Sequence, residues 1–206
     1  MSPTPRPTLT HLLRHLSRSP PLHNPRHPRS ASLTATISSA SLHPTLEAAL
    51  HLLNGDLPSA HFLVRHMQSP PAVEGMLLHG ILHRIEGDYD NARAWYSDVD
   101  QAGAEVLGVA WVGGKEGGKG GGEGGGGWSG FIDAVERSKR EGREEREDVA
   151  LVEEGGRELN AVLEFCRKRF GDGEVLDASD AWVRPSEKIK NMGQGQVTGD
   201  QQRAMF

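Results

Sequence analysis

The sequence has a single cysteine, two tyrosines and few aromatic residues of any kind. One thiol, Cys166, excludes an intramolecular disulfide and any multi-cysteine zinc site, and it fits a reducing compartment. No apolar run approaches the roughly 18 residues that a membrane-spanning helix needs, and the N-terminus lacks the apolar core of a secretory signal. Acidic residues are missing before Glu47, where Arg6, Arg14, Arg18, Arg26 and Arg29 stand alone. These absences describe an intracellular protein, cytoplasmic by default. The Arg- and Ser-rich, acid-free start also has the composition of a mitochondrial transit peptide, although Pro3, Pro5, Pro7, Pro20 and Pro21 leave only Leu9–Ser17 free for its amphipathic helix. A net charge of −5 argues against a chain that coats nucleic acid.

Glycine and proline are abundant but concentrated in particular stretches. Residues 1–40 read as a disordered, basic Pro/Ser/His-rich tail with one short helix near Thr8–Leu16. Residues 113–127 hold 11 glycines in 15 and read as a linker. Residues 174–206 read as a largely disordered tail, with Asp177–Trp182 the part expected to dock. Between these stretches the apolar residues recur at helical spacing: Leu46, Leu50, Leu53, Leu57, then Leu77, Leu78, Ile81, Ile85. Leu159, Val162, Leu163, Cys166 and Phe170 form another such stripe, which predicts a helix over Arg157–Phe170 ending at Gly171. Phe131–Lys139 predicts a shorter one, and the charge run Arg140–Asp148 a solvated connector. The helices of 131–170 are expected to pack on those of 41–101.

An internal repeat organises residues 41–101. Gly55-Asp56-Leu57-Pro58-Ser59-Ala60 aligns with Gly87-Asp88-Tyr89-Asp90-Asn91-Ala92, and Val64, Met67 and His51 align with Tyr96, Val99 and His83. Glycine ends one helix by taking a left-handed backbone, and the following aspartate caps the next. Pro70 and Pro71 separate the two copies.

This pattern resembles the tetratricopeptide repeat. Gly80, Gly87, Tyr89, Ala92 and Tyr96 fall on family positions, while His79 and His83 depart from the leucine and aromatic usual there. The string His79–Tyr96 is also similar to a segment of an uncharacterised protein family of fungi and bacteria. The resemblance implies an all-α fold of tandem antiparallel helical hairpins. It also implies a concave face carrying Leu42, Thr45, Ala49, Leu52, Glu74, Leu77, Ile81 and Arg84. So apolar a face must be covered, either by this chain or by a partner. The leading expectation is therefore a non-catalytic scaffold that binds a protein or peptide segment there, with Glu74, Leu77, Ile81 and Arg84 as its binding groove and no cofactor.

The alternative comes from the histidines, all ten of which lie at or before His83. His79 and His83 stand i, i+4 on a predicted helix, so both imidazoles can face one divalent metal ion. This reading makes the chain a small metal-binding protein or metal-dependent enzyme, with Glu47, Glu74 and Glu86 as further candidate ligands. The competing reading puts His51, His79 and His83 in the packed interior. Trp95 is expected half-exposed beside a buried Tyr96, and Cys166 as a buried inert thiol. Gly113–Lys119 has the first half of a phosphate-binding loop, but Gly120 replaces the required hydroxyl and no helix can follow. No residue set commits to a reaction.

Overall fold

The computed structural model describes residues 6–111 and 127–183. The phosphate-loop look-alike, most of the glycine linker and the last part of the C-terminal tail lie outside the described residues. Among the described residues the regular structure is helical, so the all-α expectation holds.

The repeat folds as its spacing requires. Helix α3 (Pro44–Asn54) stops at Gly55, whose φ of 67° is left-handed, and the Asp56 side chain accepts from Ser59 N–H to start α4 (Leu57–Val64). Helix α5 (Val73–Glu86) stops at Gly87, with φ 91°, and Asp88 accepts from Asn91 N–H to start α6 (Tyr89–Gln101). Each helix packs on its successor: α3 on α4, α4 on α5, α5 on α6. Gly80 permits the close approach of α6 to α5. A Cβ there would stand 2.7 Å from Tyr96 Cδ2 and 3.1 Å from Trp95 Cβ, a clash no ordinary side chain tolerates.

Longer-range contacts then close this layer into a more globular body. Helix α9 (Val149–Phe170) packs against α3 and against the short α7 (Glu105–Ala110), and α8 (Trp128–Arg140) packs on α6. Helix α9 ends at Gly171 as its stripe predicts but begins eight residues earlier than Arg157. Gly155 and Gly156 lie inside it, and at Gly156 space is short: a Cβ there would meet Ser19 Oγ at 2.3 Å. Of the charge run, Glu145–Glu147 forms a single 3-10 turn.

Residues 6–40 differ from the solvated tail that their composition suggests. Helix α1 (Leu9–His15), capped by Thr8, buries Leu9 and Leu12 in the main core. Helix α2 (Ala31–Ser39) buries Ile37 and packs on α3. The segment before α2 and α2 itself are tied to the repeat by polar contacts. Arg29 N–H donates to the Asn54 carbonyl (2.7 Å), Asn54 Nδ2 donates to the Ser30 carbonyl (3.0 Å), and Thr34 Oγ1 donates to Asp56 Oδ2 (2.7 Å). The physical reason is the spacing of Leu9, Leu12, Leu13 and Leu16, four leucines on one short helical face, each contributing about 1.5–3 kcal/mol when fully buried. Their burial outweighs the prolines around them. Farther on, the 3-10 turn Ser179–Ala181 docks through buried Ala181, with Val183 N–H donating to the His66 carbonyl.

Candidate metal centre

Helical periodicity puts His79 and His83 one turn apart on α5, with nearly parallel rings 4.7 Å between centroids. The packing of α4 on α5 brings in a third imidazole, His61, at 5.1 Å from the His79 ring and 5.8 Å from that of His83. One ring nitrogen from each of the three lies within 4.8 Å of the other two. A tetrahedral ion with metal–nitrogen bonds of about 2.0–2.1 Å holds its nitrogens about 3.3 Å apart. Side-chain rotations of the order of 1 Å would therefore close the triad on an ion. Trp95, from α6, stacks on the opposite side of His79 at 4.5 Å and 22°.

The electrostatics keep these rings ready for a cation. His79 is fully buried, and neither ring nitrogen has a hydrogen-bond partner. Burial, then the neighbouring His83 and His61 rings, hold its pKa well below the usual imidazole range. It is thus neutral, the form that ligates metal. His61 is also lowered, chiefly by burial, with Glu86 opposing and His83 and Arg65 reinforcing. His83 Nδ1 lies 3.3 Å from Glu86 Oε2 and 3.9 Å from Asp88 Oδ2. That nitrogen makes no hydrogen bond of proper geometry, so the carboxylates act on it as neighbouring charges only. His61 also lines a surface hollow of about 550 Å³ with Pro58, Phe62, Arg65, His66 and Gln68. The triad thus reaches the surface through His61, the half-buried member.

The other candidate ligands go elsewhere. Glu47 lies 3.7 Å from Nε2 of His51, whose Nδ1 is 3.3 Å from Asp56 Oδ2, so the repeat partner of His83 is held by carboxylates outside the triad. Glu74 is buried and lies 2.9 Å from Arg169 of α9. Leu77, Ile81 and Arg84 are also buried. The four residues expected to line a groove therefore do not form an open one. Helix α9 reaches this face at two points, Arg169 beside Glu74 and Glu158 on Arg84.

Arg84 is the most consequential of the four. Its Nη2 donates to Glu158 Oε2 at 2.5 Å, and Tyr96 Oη and Trp111 Nε1 donate to Oε1 of the same carboxylate at 2.5 and 3.0 Å. The guanidinium lies 4.4 Å from the centroid of the Phe131 ring. Arg84, Tyr96 and Glu158 are all essentially solvent-free. Burial opposes the charged guanidinium most strongly, but Glu158, Tyr96 and Tyr89 together outweigh it and the pKa of Arg84 rises. The Tyr96 hydroxyl is pushed well above its normal range by burial and by that carboxylate. Tyr96 is buried and Trp95 half-buried, as expected. Cys166 is buried, and burial followed by nearby Glu74 raises its thiol to about 12, so it stays protonated.

Sequence reasoning missed His61 and Glu158. His61 follows Ala60, the residue at the helix crossing, so the repeat alignment itself turns it toward the following hairpin. Glu158 stands beside Leu159 on the apolar stripe of α9, a carboxylate where an apolar residue is expected.

Compared with protein families, curated proteins and solved structures, the chain matches no family model, no curated protein and no solved structure. Among the described residues, no helix is long and apolar enough to cross a membrane.

Proposed function

We propose that this chain is a metal-binding protein whose site is His61, His79 and His83, on a scaffold of tetratricopeptide-like hairpins. One observation carries the reading: His79 is a fully buried imidazole without a hydrogen-bond partner on either nitrogen, facing two more imidazoles. An unpartnered buried polar group costs about 1–3 kcal/mol, and a bound cation removes that cost. Three neutral nitrogen ligands suit Zn²⁺, with Cu²⁺ and Ni²⁺ as the other ions that favour imidazole. Three protein ligands leave a fourth position for water or an exogenous donor. That arrangement serves a binding protein and an enzyme alike, and no other group at the site assigns a reaction.

The scaffold reading now has a specific physical requirement. Leu77, Ile81 and Arg84 are buried, and a peptide reaching Arg84 would have to separate it from Glu158 of α9, which strands a buried charge. The metal reading needs no such rearrangement. The test is the metal content of purified protein, by mass spectrometry, for the wild type, H61A and a H79A/H83A double variant. Near-stoichiometric metal that is lost in both variants supports the site. Metal retained in H61A, or absent from folded wild-type protein supplied with zinc, rejects it.

A further inference from the structure

A second hollow, half open to solvent, lies away from the histidine triad, between the N-terminal ends of α3 and α5 and the C-terminal end of α9. It measures about 400 Å³, a size suited to a small organic molecule. The strap 171–183 forms one wall and is anchored at both ends. Val175 N–H donates to the Ser41 carbonyl at 2.8 Å and Val183 N–H to that of His66 at 3.0 Å. Met67 and the stacked rings of His43 and Phe170, 3.8 Å apart and within 2° of parallel, supply apolar surface.

The charged groups of the wall are Glu74, Asp177, Asp180 and Arg169, three carboxylates against one guanidinium. His43 adds no fixed charge, because burial and Arg169 lower its pKa. Glu74 is the innermost carboxylate, its side chain only 2% exposed. Arg169 Nη1 reaches to 2.9 Å from Oε1, yet that oxygen receives no hydrogen bond of proper geometry. Burial holds the Glu74 carboxyl above its ordinary range even with Arg169 alongside. The Arg169 side chain is 48% exposed, so its guanidinium can leave for solvent at small cost.

We propose that this cavity binds a small organic cation of the alkylguanidinium class. Glu74 receives the guanidinium, Asp177 and Asp180 add negative potential at the rim, and Arg169 occupies the ligand's place in the free protein. The ligand is a free small molecule, because a hollow of about 400 Å³ walled on one side by the strap is too small for a folded partner.

The probe is agmatine, titrated calorimetrically into full-length protein with chelator present, so that the histidine site takes no part. The wild type should bind it saturably. R169A should bind it several-fold tighter, since the internal competitor is gone. E74Q should bind at least about tenfold more weakly, the loss expected for one charge-assisted hydrogen bond. D180N changes an exposed rim residue and should weaken binding by a smaller factor without altering the melting temperature, which keeps the test decisive if E74Q fails to fold. Absence of saturable binding in both wild type and R169A overturns the proposal. So does agmatine affinity that R169A does not raise and D180N does not lower.

Discussion

Replacing His79 with leucine separates a ligand from a packing residue. The side chain is fully buried, stacked 4.5 Å from Trp95 and 4.7 Å from His83, and neither nitrogen is paired. Removing an unsatisfied buried polar group returns about 1–3 kcal/mol. Losing two ring contacts forfeits about 0.5–1.5 kcal/mol for each well-placed aromatic pair. The imidazole–imidazole contact counts for less, because these small polar rings bury less apolar surface than the aromatic pairs behind that range. The balance favours leucine by roughly 1 kcal/mol, a rise of about 2–4 °C in melting temperature for a chain of this size. That gain should appear in metal-free protein by scanning calorimetry with chelator. Zinc at about 100 times its Kd should add about 2.7 kcal/mol to the wild type and nothing to H79L. A residue retained for binding thus makes the apo-protein less stable than its apolar substitute. The reasoning is refuted if H79L loses more than about 1 kcal/mol in chelator, outside the balance worked above, while zinc leaves the wild-type transition unmoved.

Three further outcomes follow from the same geometry. His79, His61, His43 and His23 all have lowered pKa values, each chiefly through burial. The unfolded chain therefore binds more protons than the native one below about pH 6.5, so metal-free stability should fall as pH drops through that value, measured by urea unfolding from pH 7.5 to 5. R84M should cost about 3–5 kcal/mol because it strands Glu158, whereas R84M with E158L should recover only part of that loss, since Tyr96 Oη and Trp111 Nε1 then lose their acceptor, read by a double-mutant cycle in denaturant. G80A should cost about 1–3 kcal/mol by forcing α5 and α6 apart against Tyr96, with a lower melting temperature as the readout.

What could be read before the structure was local. Gly55 and Gly87 terminate helices in left-handed geometry and Asp56 and Asp88 cap the next ones, because capping depends on residues within one turn. The i, i+4 pairing of His79 and His83 is local in the same way. His61 is not: it joins them only because α4 packs on α5, a contact set by side chains on both helices. Glu158 is remote from its partners by 62 residues to Tyr96 and 74 to Arg84, and no spacing rule connects them. Residues 6–40 misled for a different reason. Their composition is that of a disordered chain, but Leu9, Leu12, Leu22 and Ile37 are buried. A few large side chains on an existing core suffice to order a polar, proline-rich segment. The apolar face of α5 is buried, with Leu77, Ile81 and Arg84 all removed from solvent and Arg84 paired with Glu158 of α9.

X-ray absorption at the zinc edge, on protein loaded with one equivalent of zinc, tests the central claim most directly. Three imidazole nitrogens at about 2.0–2.1 Å, with one nitrogen shell lost in H61A, are the predicted result. A carboxylate-dominated shell, or a spectrum that H61A and H79A leave unchanged, would contradict it.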